Sequence, residues 1–300
     1  MKVYRTPDDR FDGLPDYDFA PNYLVWNGLR VHHLDEGPRN GQAVLMLHGE
    51  PTWSFLYRRM VKPLSAAGYR CIAPDHVGFG RSDKVMDDDW YVLERHVERI
   101  RHLIEILDLR DVILVVQDWG GPIGLINAVS DPSRFARLVI LNTWLHRPDY
   151  PYTDQIHAWR RAAVDPARWR TMPVQEIMQR TLVRGAGKSD AILAAYEAPY
   201  EDQETRAGLR RFPFCLPFAE PVAGGAALQE TAFRALAGLP MPKHVMFGDS
   251  DPIFPAAHGE AWARQLPGAT FDIIKDAGHF LQEDAGPEIA ARMLERFGSH

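Results

Sequence analysis

The stretch that decides the fold runs Val112-Ile113-Leu114-Val115-Val116-Gln117-Asp118-Trp119-Gly120-Gly121-Pro122. Its first half is a short apolar run, which is typical of a parallel strand buried on both faces. Gly120 and Gly121 then permit a tight turn, and Pro122 suits the first turn of a helix, where its missing N–H costs nothing. We therefore predict a strand, a sharp turn and a helix, with Asp118 at the apex of the turn.

A reactive side chain between a strand and a helix is the layout of a nucleophile elbow, and here a carboxylate stands where most such enzymes carry serine. The residue two places before the nucleophile is usually glycine, and in this chain it is Val116. The turn must therefore depend on Gly120 and Gly121. An aspartate that only caps the following helix would fit the same residues, so this stretch alone leaves both interpretations open.

The composition of the 300 residues limits the class of protein. With 46% hydrophobic residues the chain can bury a large core. Its net charge of −6 is spread without long runs, so no nucleic-acid-binding surface is predicted. No apolar stretch reaches the roughly 18 residues of a membrane span, and the polar residues 1–21 do not resemble a signal peptide. The only two cysteines, Cys71 and Cys215, favour a cytoplasmic protein in a reducing compartment.

Predicted strands and helices alternate in the first and last parts of the chain. Such alternation predicts an α/β fold with a mostly parallel, doubly wound central sheet flanked by helices. Strands are expected within residues 22–36 (a pair with a turn at Asn27-Gly28), 43–47, 69–73, 112–116, 138–141, 244–247 and 271–274, and helices over residues 90–107, 226–237, 256–265 and 286–297.

The middle of the chain differs from its two ends, because it contains no run that predicts a buried strand. We therefore predict an α/β core domain formed by residues 1–143 and 226–300, with an all-helical cap of residues 144–225 inserted into it. Ligands bind such sheets beyond the carboxyl ends of the strands, so the cap would cover that site. Helices are expected in the cap over residues 153–164, 173–183, 189–197 and 201–210.

Three candidate catalytic residues follow three different strands. Asp118 ends the central strand, Asp251 follows the strand 244–247, and His279 follows the last strand. Nucleophile, acid and histidine in this order are the chain order of the α/β-hydrolase triad. Asp249 is a competing candidate for the acid.

The sequence resembles the α/β-hydrolases over essentially its whole length, and within that fold it resembles the haloalkane dehalogenases. The specific motifs are His48-Gly49-Glu50-Pro51-Thr52-Trp53-Ser54, the elbow at residues 115–121, and Gly278-His279-Phe280. The resemblance implies hydrolysis of a small apolar haloalkane to a primary alcohol, halide and a proton. No cofactor is expected, because no phosphate-loop or dinucleotide glycine pattern follows the first strands, and no metal is expected, because His76 and His96 have no metal-binding spacing. The resemblance also favours Asp251, by its spacing, as the acid.

The resemblance assigns a role to each site residue. Asp118 is expected to displace halide and form an alkyl ester, which water activated by His279 then hydrolyses, with Asp251 orienting the histidine. Backbone N–H groups of Glu50 and Trp119 are expected to form the oxyanion hole.

The leaving halide is expected to bind indole N–H groups, which are donors without acceptor capacity. The resemblance implies that Trp119 provides one of these indole N–H groups and that a tryptophan early in the cap provides the second. We predict Trp159, with Trp169 in reserve and Trp144 less favoured because it lies so near the last core strand. The Glu50 side chain is expected to support the halide site, although packing alone would also explain any one cap tryptophan.

Two other functions compete with this interpretation. An epoxide hydrolase would use the same Asp118 with two cap tyrosines as donors, and Glu50 and Gln117 argue against it. A binding protein without turnover is disfavoured because all three triad positions are filled. Among the other histidines, His48 is expected to shape a turn, and His76 and His96 are expected at the surface or in loops. The cap tyrosines available to an epoxide hydrolase are Tyr150, Tyr152, Tyr196 and Tyr200.

Overall fold

The computed structural model describes residues 1–297, which form ten strands and ten α-helices. The strands are β1 (Val3–Tyr4), β2 (Asn22–Trp26), β3 (Leu29–Glu36), β4 (Ala43–Leu47), β5 (Arg70–Pro74), β6 (Lys84–Val85), β7 (Val112–Gln117), β8 (Phe135–Leu141), β9 (Lys243–Gly248) and β10 (Thr270–Ile274). The helices are α1 (Arg58–Ala66), α2 (Leu93–Ile106), α3 (Gly120–Ser130), α4 (Asp154–Ala163), α5 (Val174–Thr181), α6 (Asp190–Glu197), α7 (Ala207–Phe214), α8 (Ala226–Leu236), α9 (Ala256–Ala263) and α10 (Leu281–Phe297).

Eight strands form one sheet in the order β10-β9-β8-β7-β4-β5-β3-β2. Only β2 and β3 pair antiparallel to their neighbours, and the other pairs are parallel. This confirms the predicted α/β fold with a mostly parallel sheet. All six residues of β7 are buried, as expected of a strand covered on both faces.

The position of β7 brings three loops together at one edge of the sheet. Val116 pairs with Leu47 of β4, and Gln117 pairs with Leu141 of β8. The residues that follow these strands therefore begin at the same level. The loop containing Glu50, the elbow at Asp118 and the segment beginning at residue 142 meet there.

The core elements agree with the predicted ones, except at the start of the last helix. Helix α10 begins at Leu281 instead of residue 286, because a first helical segment precedes a kink at Ala285 (φ −137°, ψ 26°). Pro287 lies just beyond the kink and fits the first turn of the second segment.

Helices α4 to α7 occupy the predicted cap, and no strand occurs between Leu141 and Lys243 of the described chain. The predicted helix over residues 201–210 is displaced, since α7 spans Ala207–Phe214. The carboxylate of Asp202 accepts from the backbone N–H groups of Glu204 and Thr205 and so forms a separate turn before the helix. The domain boundaries at residues 143 and 225 stay a prediction.

The N-terminal segment forms a connection that the sequence did not indicate. Strand β1 pairs with β6 in a separate two-stranded sheet. The hydroxyl of Thr6 donates to the carbonyl of Pro199 (2.7 Å), which ties the segment to the chain after α6. Two-residue strands leave no periodicity in a sequence. Within residues 1–297, no helix combines the length and apolar character needed to cross a membrane.

Candidate active site

The turn after β7 has the geometry of a nucleophile elbow. Asp118 has φ 49°, a left-handed backbone conformation that favours glycine and is strained for other residues. Its backbone N–H donates to the carbonyl of Asn142 (3.0 Å). A Cβ at Gly120 would lie 2.1 Å from the carbonyl oxygen of Leu47, and one at Gly121 would lie 1.9 Å from the hydroxyl of Thr143. Gly120 and Gly121 begin α3 and allow it to approach β4 and Thr143 closely, whereas the left-handed residue of the turn is Asp118 itself.

The loop after β4 approaches the Asp118 carboxylate closely. The backbone N–H of Glu50 donates to Oδ1 of Asp118 (2.9 Å). Gly49 permits this approach, because a Cβ there would lie 2.1 Å from the same oxygen. Trp119 is the N-cap residue of α3, where backbone N–H groups have no partner within the helix. The Glu50 N–H therefore contacts the Asp118 carboxylate, and the role of the Trp119 N–H in the oxyanion hole stays a prediction.

His279 lies between two carboxylates. Its Nε2 is 3.6 Å from Oδ2 of Asp118, and its Nδ1 is 2.9 Å from Oδ2 of Asp251. All three side chains are buried. The other candidate acid, Asp249, pairs with Lys275 at the surface and does not contact His279. The structure thus brings together the predicted residues Asp118, Asp251 and His279.

The two carboxylates determine the protonation of His279. Burial lowers the pKa of this imidazole, but the negative charges of Asp251 and Asp118 and their hydrogen bonds outweigh burial and raise its pKa to about 10. At neutral pH the ring is therefore an imidazolium in the resting protein. It can accept a proton only after one of the neighbouring charges is lost.

Asp118 lines a cavity of about 80 Å³. Trp119 and Trp159 both line it, and so does Trp144, whose ring packs between Trp119 (5.0 Å) and Phe254 (5.1 Å). Trp169 does not line the cavity and lies beside the Arg210 guanidinium. The remaining lining residues are mostly apolar: Glu50, Pro51, Ile156, Ile177, Thr181, Pro213, Leu216, Ile253, Phe254, His279 and Phe280.

Comparison with known proteins agrees with this geometry. The model of the alpha/beta hydrolase fold family matches residues 42–286. Haloalkane dehalogenases of Psychrobacter cryohalolentis and Mycolicibacterium paratuberculosis are 38% and 41% identical to this chain, each covering 98% of both sequences. The chain belongs to the haloalkane dehalogenases. A solved haloalkane dehalogenase from Paraglaciecola agarilytica, described as tetrameric, has a TM-score of 0.91 at 32% identity and full coverage of both chains.

The Glu50 side chain of this dehalogenase is buried beside Asp118. Burial, and then the negative charge of Asp118, raise its pKa well above the ordinary value. Its Oε1 has no hydrogen-bond partner among residues 1–297. The raised pKa favours the neutral carboxylic acid, a form that can donate a hydrogen bond.

Two side chains that were not predicted to contact the histidine loop hold the His279 backbone. The amide of Gln117 donates to the carbonyl of His279 (3.1 Å), and the amide of Asn142 donates to the carbonyl of Gly278 (2.8 Å). Oδ1 of Asn142 also accepts from the N–H of Gly248 (2.9 Å). Their place in the sequence could have indicated this role, because Gln117 ends the buried strand β7 and Asn142 directly follows the buried end of β8.

The cap tyrosines that an epoxide hydrolase would need lie elsewhere. The hydroxyl of Tyr196 donates to Glu283 (2.6 Å), and that of Tyr152 pairs with Nδ1 of His146 (2.8 Å). Tyr150 lines a different cleft, and Tyr200 is buried away from the cavity. Within residues 1–297, none of these four side chains lines the dehalogenase cavity.

The prediction of a surface or loop position is wrong for His96, which is buried in α2, whereas His76 lies in a loop as predicted but is also buried. The His48 and His76 rings contact each other at a tilt (4.4 Å between centroids), and His96 stacks on Phe212 at 4.8 Å. The apolar surroundings accept the neutral rings, and burial lowers the pKa of His48 to about 4. The ring of His48 also pairs with the carbonyl of Gly49 (2.9 Å), as expected of a residue that shapes this turn. No group of three or more metal-binding side chains occurs in the described part of the chain.

Proposed function

We propose that this haloalkane dehalogenase hydrolyses small apolar haloalkanes to alcohol, halide and a proton through an ester on Asp118. The observation that carries the proposal is the chain of contacts from Asp118 to His279 to Asp251, of which Asp118 and His279 line one mostly apolar cavity. The helices over residues 144–225 form the proposed cap over that cavity. The two buried free cysteines support the proposed cytoplasmic location.

The two oxygens of Asp118 have different surroundings, which assigns them different tasks. Oδ1 already accepts from the N–H of Glu50. Oδ2 is therefore the proposed nucleophile: it bonds to the carbon that carries the halogen, and the carbon–halogen electron pair leaves with the halide. The constrained elbow supplies the alignment that this displacement needs.

The departing halide needs donors, because an unpaired anion in an apolar cavity is costly. The indole N–H groups of Trp119 and Trp159 are the proposed donors, since both side chains line the cavity. The Glu50 side chain is proposed to support them, since its raised pKa favours the uncharged carboxyl, which does not repel the halide.

Formation of the ester changes the state of His279. The ester of Asp118 carries no charge, so the pKa of His279 falls and the ring can take a proton from water. The resulting hydroxide adds to Cγ of Asp118, and the N–H groups of Glu50 and Trp119 stabilise the negative charge on Oδ1. Cleavage between Cγ and Oδ2 releases the alcohol, which carries Oδ2, and leaves the water oxygen on Asp118.

Halide release tests the proposed function. With 1-bromobutane or 1,2-dibromoethane the purified protein is expected to release bromide continuously, in a fixed ratio to the alcohol. Absence of bromide from the folded protein would overturn the proposal. Styrene oxide is expected not to react, because the four cap tyrosines lie outside the cavity. Its turnover would instead establish the epoxide hydrolase.

A further inference from the structure

The buried carboxylate of Asp284, near the start of α10, accepts hydrogen bonds from two separate segments of the chain. The proposed mechanism does not connect these segments. Oδ2 of Asp284 accepts from the backbone N–H of Gly278 (2.9 Å). Oδ1 accepts from the N–H of Arg184 (2.8 Å) and from that of Val183 (3.1 Å). The side chain is buried. A buried charge is tolerated only when it is hydrogen-bonded, and here three backbone donors surround it.

The two segments both belong to the site. Gly278 directly precedes His279. Val183 and Arg184 follow α5, whose residue Thr181 lines the cavity. The segments touch, since a Cβ at Gly278 would lie 2.2 Å from the carbonyl oxygen of Thr181. The Asp284 carboxylate is thus the common acceptor of the histidine loop and the cap segment.

A second connection between the same segments does not involve Asp284. The Arg184 guanidinium donates to the carbonyls of Lys275 (2.8 Å) and Asp276 (3.2 Å) and pairs with Glu288 at the surface. The two connections differ in what they hold. Arg184 reaches the strand end, whereas Asp284 holds the peptide next to the imidazole.

We propose that Asp284 is a positioning residue for ester hydrolysis, which fixes the His279 loop against the cap segment at residues 183–184. The inference rests on the proposed function, because it assumes that His279 acts only in the second step. The carbonyl side of the Gly278 residue is held by Asn142, and its N–H side is held by Asp284. Loss of either contact lets the ring shift relative to the ester, and a shift of about 1 Å costs roughly 100-fold in rate.

Ester formation does not depend on this contact. Asp118 is held by the N–H of Glu50 and by Asn142, and neither hydrogen bond involves Asp284. A variant at Asp284 should therefore slow the second step selectively. A residue that only stabilises the fold would not divide the two steps in this way.

The variant Asp284→Asn keeps the shape of the side chain but turns an amide N–H towards at least one backbone donor. Rapid-quench experiments with 1-bromobutane give both rate constants: bromide appearance reports ester formation, and the mass of the alkylated peptide reports ester hydrolysis. We expect the hydrolysis rate constant to fall 10- to 100-fold and the formation rate constant to stay within about threefold. The ester then accumulates, so kcat and KM fall together.

The matched control is Arg184→Met, which removes the other connection and leaves Asp284 intact. It should hydrolyse the ester within about threefold of the wild-type rate. If Asp284→Asn does not fold, Asp284→Glu retains the charge and displaces the oxygens by one methylene, and the same selective loss is expected. Equal loss in both steps, or no loss in either, would overturn the positioning role.

Failure of this inference is distinguishable from failure of the proposed function. If the wild type and His279→Ala form no ester on Asp118, the proposed function is wrong. If they form it and Asp284→Asn hydrolyses it at the wild-type rate, only the role of Asp284 is wrong.

Discussion

Removing the charge of Asp118 should lower the pKa of His279 by roughly 3. Nε2 of His279 and Oδ2 of Asp118 are 3.6 Å apart. At an effective dielectric constant of about 20, two unit charges at this distance attract by about 4.6 kcal/mol, and each 1.36 kcal/mol is worth about one pKa unit. With a wild-type pKa of about 10, the Asp118→Asn variant should titrate at roughly 7.

NMR titration of the imidazole measures this change directly. The His279 signal is the one that disappears in His279→Gln, which leaves the other eleven of the twelve histidines. Asp249→Asn is the matched control, because Asp249 contacts Ser250 and Lys275 but not His279. A fall of less than one unit in Asp118→Asn, or an equal fall in Asp249→Asn, would refute the electrostatic reasoning.

The loss of the Asp118 charge also explains why His279 becomes a base only after the ester has formed. An alkylated Asp118 carries no charge, and neither does the amide in the Asp118→Asn variant, so the pKa of His279 should fall similarly in the ester. A lowered pKa means that the base form predominates above it. Single-turnover hydrolysis of the ester should therefore rise with pH and level off above roughly pH 7, although the resting imidazole stays protonated there.

Two further variants test the halide site and the elbow. Trp159→Phe removes a proposed donor to the halide and should weaken bromide binding about 10- to 100-fold, measured by fluorescence quenching. Trp169→Phe should leave it unchanged because that ring lies outside the cavity, and the reverse pattern would transfer the role to Trp169. Gly121→Ala should destabilise the protein by about 1–3 kcal/mol in urea unfolding, because its Cβ would clash with the Thr143 hydroxyl. Gly185→Ala is the control, since no atom lies within 4 Å of its added Cβ, and equal stability of the two variants would contradict the steric account.

The parts of the fold predicted best are those specified by local sequence. The apolar run of β7, followed by Gly120 and Gly121, predicted the elbow because buried strands and tight turns depend on neighbouring residues. Parallel strands all end at one edge of the sheet, so the ends of β7 and β9 and the loop after β10 predicted that Asp118, Asp251 and His279 meet.

The residues that the sequence did not reveal act through distant partners. Asn142 and Asp284 look like ordinary loop and helix-start residues until the fold brings Gly278 and the cap segment beside them. His96 was expected at the surface or in a loop, but its ring is buried in α2 and stacks on Phe212, a partner far away in the chain. Helix α7 was displaced by a side-chain turn at Asp202, which competes locally with the helix.

The most direct test of the two-step mechanism is to stop it at the ester. His279→Ala is incubated with 1-bromobutane, and bromide and the mass of the Asp118 peptide are measured together. We predict close to one equivalent of bromide per protein molecule and a stable butyl adduct on Asp118. Continuous bromide release by this variant, or one equivalent of bromide with the adduct on another residue, would contradict the assignment of Asp118 as nucleophile and His279 as base.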